Sequence, residues 1–288
     1  MKVLAPSKIN LYLHISGKRP DGYHELETLM CPLSLADEIE IELADQGVAL
    51  TIEGADLPSG PENLAYRAAD EFFKMAQVDS AQGGARIHLK KRIPTGGGLA
   101  GGSSNAAAVL LALNQLLGEP LSMDQLGSIA AGMGSDINFF LQHEPAICSG
   151  RGEKVCPHPL RNLPWALLIN PGFGVSTPWA YKTYAQNPAQ GEVGRTFEWG
   201  AGAPPDSVVT LRNDLEPAVF SKYIWIAETK AWLQRQPMVL DALMSGSGAT
   251  VFALVEDEKA AAKLTAQARD YLGHATWIQA VRLGSHRS

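Results

Sequence analysis

Cysteine is scarce: Cys31, Cys148 and Cys156 are the only three in 288 residues. They are odd in number and far apart, so neither a disulfide framework nor a zinc-type spacing can be read, and a reducing, cytoplasmic compartment is expected. No uninterrupted apolar run reaches the ~20 residues that a membrane-spanning helix needs. The opening, Met1-Lys-Val-Leu-Ala-Pro-Ser-Lys8, has no apolar core followed by a cleavage-type site, so no secretory leader is expected. Excess positive charge is missing too: 24 Lys and Arg stand against 30 Asp and Glu, a net charge of −6. That balance argues against bulk nucleic-acid binding while leaving room for a local basic site on a phosphorylated small molecule. Internal repeats and low-complexity tracts are absent. What remains is 45% hydrophobic and 19% charged, the composition of a soluble globular protein long enough for two modest domains.

Glycine, by contrast, is concentrated. Five glycines fall between Gly96 and Gly102, followed by Ser103, Ser104, Asn105 and an alanine-rich run. Glycine lacks a Cβ, so this backbone can take positive φ and approach a ligand closely. Ser103 or Ser104 can cap a helix in which Ala106, Val109, Leu110, Leu113, Leu116 and Leu117 recur on one face. Upstream, Arg86-Ile-His-Leu-Lys-Lys91 alternates as a strand does. Strand, glycine loop and helix N-terminus together suit a phosphate chain, which meets unused N–H groups and the positive end of the helix dipole. A Walker loop is excluded because no lysine precedes Ser103. Gly96, Gly98 and Gly101 do match a dinucleotide fingerprint, but no second strand with an acidic end follows the helix, which argues against that fold.

Elsewhere the chain reads as mixed α and β. Ile9, Leu11, Leu13 and Ile15 alternate with polar residues as a half-buried strand, with Lys8 at its start and Asn10 on the same side. Taken alone, Lys8 would be an exposed lysine at a strand edge. A turn through Asp21-Gly22 presents Tyr23 and His24 side by side, an aromatic ring and a hydrogen-bonding edge that suit a nucleobase. Strands are expected at 38–43 and 48–53, and a helix over 63–75 with Leu64, Ala68, Phe72 and Met75 as a core stripe. A short helix over 123–131 leads to Ser135 and Asp136, where the aspartate could be an ordinary helix cap. Composition shifts near 148–153 and 157–159 divide the chain into 1–155 and 156–288. The second part should hold a strand over 165–169 and a helix capped by Thr177 with Pro178 in its first turn. A surface loop over 188–205, a helix over 218–235, a strand after the small-residue turn 244–249, a helix over 257–272 and a strand over 276–281 complete it.

Several of these segments resemble one family. Pro94-Thr-Gly-Gly-Gly-Leu-Ala-Gly-Gly-Ser-Ser104, running into Asn105-Ala-Ala-Ala108, resembles the ATP loop of the GHMP kinases, which include galactokinase, homoserine kinase and mevalonate kinase. Its triple glycine is most like the branch that phosphorylates 4-diphosphocytidyl-2-C-methyl-D-erythritol in the non-mevalonate isoprenoid route, although Ala100 stands where that branch more often has glycine. Pro6-Ser-Lys-Ile-Asn-Leu11 is similar to the family's opening P-A-K-I-N-L, and Asp21-Gly-Tyr-His24 to a run of the same branch. Gly134-Ser-Asp-Ile-Asn-Phe139 resembles G-[AS]-D-[VI]-P-F, with Asn138 in place of proline. Asn213-Asp-Leu-Glu216 and Ser245-Gly-Ser-Gly-Ala249 complete the set, in family order along almost the whole chain.

The resemblance implies an α+β fold of two domains, an N-terminal ribosomal-protein-like α/β domain and a C-terminal ferredoxin-like α+β domain. It implies ATP-dependent phosphorylation of the 2-hydroxyl on the erythritol part of that cytidine diphosphate substrate. Lys8 and Asp136 would be catalytic, and Asn10, Tyr23 and His24 would bind substrate, the last two at the cytidine end. ATP would lie along Pro94, Thr95, Gly96, Gly97, Gly98, Leu99, Ala100, Gly101, Gly102, Ser103 and Ser104. Mg2+ would accompany it, with Ser104 the candidate hydroxyl ligand. The expected partner is that small molecule, with no nucleic acid and no membrane, and the chain a monomer or a homodimer. Two alternatives stay open: another GHMP kinase, of homoserine or mevalonate type, or a nucleotide-binding module without catalysis.

Overall fold

The alternation seen at 9–15 belongs to a much longer strand. In the computed structural model, which describes residues 1–77, 83–188, 193–198 and 208–284, β1 (Lys2–Lys18) turns at Arg19–Tyr23 into β2 (His24–Ala44). The far edge of β2 is shared: Leu26–Met30 pairs with β5 (Ala146–Gly150), and Glu38–Ala44 pairs with β4 (Gly84–Lys90). Residues 28–33 of β2 escaped the sequence reading because they are buried on both faces, which erases the period of two. β3 (Gly47–Glu53) runs parallel to β4, and β6 (Lys154–Pro157) pairs with β5.

Helices cover this sheet. α1 (Leu64–Ala76) is capped by Asn63, whose Oδ1 accepts the Ala65 N–H at 2.9 Å. Its buried side is Ala65, Ala68, Ala69, Phe72 and Phe73, whereas Met75 is exposed, so the apolar stripe is rotated from the expected one. α2 (Gly101–Leu116) is buried nearly all round from Ser104 to Leu110, where small alanines let neighbours pack closely. α3 (Met123–Met133) opens with a capping box of Ser122 and Gln125, and α4 (Ile137–Phe140) follows it.

From β7 (Trp165–Asn170) onward the chain builds a second sheet. α5 (Thr177–Gln186) is capped by Ser176, not Thr177: the Ser176 hydroxyl accepts the Trp179 N–H, and Thr177 is the first helical residue. Most of the expected loop at 188–205 lies outside the described residues, but β8 (Thr196–Glu198) pairs with β9 (Val208–Thr210). β10 (Arg212–Asn213) joins the first sheet beside β1. The single helix expected over 218–235 is two, α6 (Glu216–Phe220) and α7 (Ile224–Gln234). Between them Tyr223 turns into an aromatic cluster, 5.7 Å from Phe173 and 5.4 Å from Trp179 between ring centres. β11 (Val239–Met244), β12 (Val251–Val255), α8 (Glu258–Leu272) and β13 (Trp277–Arg282) finish the unit. Its strand order β11-β12-β7-β13, all antiparallel, with helices in the two crossovers, is the ferredoxin-like arrangement expected.

Candidate active site

The glycine loop is anchored by one buried ion pair. Lys91, just past β4, bonds through Nζ to the Asp37 carboxylate and, at 3.1 Å, to Asn105 Oδ1. The other Asp37 oxygen accepts the N–H groups of Arg92 and Ile93 at 2.7 and 2.9 Å, and Asn105 Nδ2 donates to the carboxylate at 2.9 Å. A charge this deep is tolerated only when paired and hydrogen-bonded, so these contacts fix both the strand exit and the second turn of α2. Between those fixed ends the backbone takes positive φ at Gly96, Gly98 and Ala100. A Cβ on Gly98 would lie 2.1 Å from the Ser245 carbonyl oxygen, so no other residue fits there. Neighbouring segments hold the loop: Thr250 N–H donates to Gly97 O at 3.1 Å, and Ser245 Oγ to Gly98 O at 3.0 Å.

The helix after the loop starts earlier than its serines suggested. Ala100 is the N-cap residue, left-handed and without a side-chain cap bond, and Gly101 opens α2. Ser103 and Ser104 are therefore inside the first turn and cap nothing. The N-terminal amides consequently face the cleft without a side-chain acceptor or an acidic residue in the first turn, which is what an incoming anion requires.

β1 brings Lys8 and Asn10 to the same place, and Lys8 is buried at the site, not exposed at an edge. Its Nζ donates to Asn10 Oδ1 at 2.7 Å and to Gly98 O at 3.1 Å, and stands 3.5 Å from Asp136 Oδ2. Asn10 Nδ2 donates in turn to Thr28 Oγ1 at 2.8 Å, which orients the amide oxygen toward the ammonium. Asp136 immediately precedes α4 but makes no side-chain cap bond, so its carboxylate is available to the cleft.

Two cavities meet at that carboxylate. One, of about 470 Å³, is lined by Lys8, Asn10 and the glycine loop. Of the expected loop residues, Leu99 and Ser104 do not line it: Leu99 is fully buried in the core, and Ser104 Oγ is buried with no hydrogen-bond partner among the described residues. The other cavity, of about 500 Å³, holds Tyr23 and His24. The His24 ring stacks on Tyr181 at 5.4 Å and meets Tyr184 edge-on at 6.2 Å. Burial first, and the Lys18 ammonium second, push the His24 imidazole below its usual value of 6.5. Tyr23 is 54% exposed, with the Arg151 guanidinium 4.8 Å from its ring centre. Leu26, Asp136, Arg151, Thr177 and Tyr181 line both cavities.

Sequence reasoning missed Arg151, Tyr181 and the Asp37–Lys91–Asn105 anchor. Arg151 sits in the glycine-flanked segment read only as a boundary, and Tyr181 lies on a helix whose pattern looked structural. Chemically, the arrangement offers backbone donors for a polyanion on one side and a stacked aromatic recess on the other. A carboxylate and a buried ammonium stand where the two meet.

Comparison with known proteins identifies the family to which this fold belongs. Residues 63–142 match the GHMP kinases N terminal domain, and residues 206–274 match GHMP kinases C terminal. A 4-diphosphocytidyl-2-C-methyl-D-erythritol kinase of Methylacidiphilum infernorum is 46% identical over 281 residues, covering 96% of this chain and 94% of the relative. A protein of the same name from a Geobacter species is 39% identical over 273 residues, covering 93% and 94%. Among solved structures, a 4-(cytidine 5'-diphospho)-2C-methyl-D-erythritol kinase superposes with a TM-score of 0.79 at 34% identity over 99% of each chain. A homoserine kinase from Cytophaga hutchinsonii, at TM-score 0.67 and 19% identity over 98% of this chain and 94% of that one, shares the fold.

Proposed function

The chain belongs to the 4-diphosphocytidyl-2-C-methyl-D-erythritol kinase family of the GHMP kinases, and we propose that its two joined cavities transfer a phosphoryl group from ATP to the 2-hydroxyl of that substrate's erythritol part. The observation that carries this reading is the meeting of the two cavities at Asp136, 3.5 Å from the Lys8 ammonium.

Phosphoryl transfer asks for little covalent help from a protein; it needs alignment of donor and acceptor and a field that stabilises spreading negative charge. The amides of Gly96–Gly98 and of the first turn of α2 hold the triphosphate. The acceptor alcohol lies at Asp136, whose carboxylate takes its proton as the oxygen attacks the γ-phosphorus. Lys8, held by Asn10 and the Gly98 carbonyl, places a fixed positive charge beside the oxygen that becomes negative. Tyr23 and His24 hold the cytosine end.

Magnesium fits as an ion that arrives with the nucleotide. The described residues contain no group of three His, Cys, Asp or Glu side chains able to hold a metal, and Mg2+ commonly takes most of its ligands from phosphates and water. Ser104, the hydroxyl expected at the ion, is buried and does not line the nucleotide cavity, so phosphate oxygens and water would supply the ion's ligands. When bound, the ion supplies neutralisation of the phosphate charge.

The test is phosphorylation by the purified chain of the cytidine substrate, homoserine and mevalonate side by side with ATP. Turnover of the first alone is expected; turnover of another alone would move the substrate assignment, and turnover of none would leave a binding module. Asp136→Asn should lower kcat about 10²–10⁴-fold, the usual worth of a general base, with KM for ATP little changed.

A further inference from the structure

The substrate proposed above is a nucleoside diphosphate ester, and the inference here rests on that reading. With its base at Tyr23 and His24 and its alcohol at Asp136, the diphosphate must cross the junction lined by Leu26, Asp136, Arg151, Thr177 and Tyr181. Two phosphate charges would then lie close to a carboxylate, and taking them out of water requires a nearby cation. Lys8 bonds to Asn10 and Gly98 and faces Asp136, and Lys91 bonds to Asp37 and Asn105. Lys18 and Lys182 line only the nucleoside cavity. Arg151 alone among the five junction residues is positive.

Its surroundings present that charge to the junction. Arg151 lies between β5 and β6, with Gly150 and Gly152 on either side at φ of 75° and 108°. Its own N–H donates to Glu153 Oε2 at 2.6 Å, which fixes the backbone. Gly152 passes so close to the turn before α4 that a Cβ there would lie 3.5 Å from Ser135 Cβ and 3.9 Å from Asp136 Oδ1. The segment therefore sits against the transfer point, and the arginine side chain lines both cavities there. The guanidinium rests near the Tyr23 ring, and its Nε is 4.0 Å from Glu153 Oε2, the outer limit of an ion pair. Both contacts are weak enough at a part-exposed site to be exchanged for phosphate.

We propose that Arg151 grips the substrate's diphosphate, so that this side chain sets the preference for a nucleoside diphosphate over a nucleoside. A planar guanidinium can give parallel N–H bonds to two phosphate oxygens, which an ammonium cannot reproduce. In the resting chain it lies near Tyr23 and turns to the phosphates when the substrate enters.

Calorimetric titration of the full chain with cytidine and with cytidine 5'-diphosphate tests this, in wild type, Arg151→Gln and Arg151→Lys. Arg151→Gln should weaken diphosphate binding about tenfold or more and cytidine binding far less, the signature of a lost charge-assisted contact. Arg151→Lys should recover part of the loss, and KM for the cytidine substrate should rise in Arg151→Gln while KM for ATP does not. Unchanged diphosphate affinity in Arg151→Gln would overturn the proposal. So would an equal loss for cytidine and its diphosphate, which marks a damaged pocket. If wild type binds neither ligand, the functional reading itself has failed, and this inference with it.

Discussion

His24 carries the chemistry of the nucleoside cavity in its protonation state. Its ring is enclosed by Tyr181 and Tyr184, and burial and the Lys18 ammonium both disfavour the imidazolium. The ring is therefore neutral at pH 7, offering one N–H donor and one bare nitrogen acceptor, a pairing suited to the edge of a base. Because the shift is downward from 6.5, acidification charges His24 only below that value. KM for the cytidine substrate should accordingly stay level as pH falls from about 8 to about 6.5 and climb beneath that. His24→Gln, which cannot titrate, should remove the acid limb; a wild-type KM already climbing above pH 7 would show that the neutral ring is not what meets the base. Tyr23 and His24 were legible in the sequence because a turn sets two chemically distinctive residues side by side. Arg151 and Tyr181 were not, since their importance comes from elements far apart in sequence that meet only at Asp136.

At the scale of elements, the glycine loop shows why the start of α2 moved. Serine is the better N-cap on propensity alone, so Ser103 or Ser104 looked like the boundary. Tertiary anchoring overrides that preference: Asp37 and Lys91 hold the strand end and Asn105, and the chain between them must turn sharply enough to begin the helix at Gly101. The consequence is an alanine at φ 55° in position 100, a conformation that costs a residue with a Cβ about 1–2 kcal/mol. Ala100→Gly removes that penalty, offset in part by the greater freedom of glycine in the unfolded chain, worth roughly 0.5–1 kcal/mol. A net gain on the order of 0.5–1 kcal/mol is expected, read as a higher urea midpoint at constant slope. A lower midpoint would mean that the methyl group packs well enough to outweigh its backbone strain. The strand and the glycine run were readable because each rests on local rules, and the helix boundary was not because a residue near position 37 sets it.

Across the whole molecule, the second sheet is a middle layer. On β12, Val251, Ala253 and Val255 face that unit's own helices, while Phe252 and Leu254 face a separate core shared with Ile9, Leu11, Leu29 and Leu99 of the first unit. β7 divides the same way, with Leu167 and Ile169 in one core and Ala166 and Leu168 in the other. Burial on both faces is why 251–255 reads as an unbroken apolar run, from which a strand can be inferred but not the layer it joins. The seam carries polar ties as well, from Thr250 and Ser245 to the glycine loop, and from Gly284 N–H to Pro32 O at 2.8 Å. Two units joined through a common core should unfold together. Phe252→Ala empties the centre of that core and should cost about 3–5 kcal/mol, a large part of an ordinary domain's stability. All six tryptophans lie at or beyond Trp165, so their fluorescence follows the second unit, whereas far-ultraviolet circular dichroism follows both. The two signals should share one melting temperature in wild type and fall by the same amount in Phe252→Ala. If fluorescence moved alone, the shared core would not couple the two units, and the cleft between them would depend on the glycine-loop ties instead.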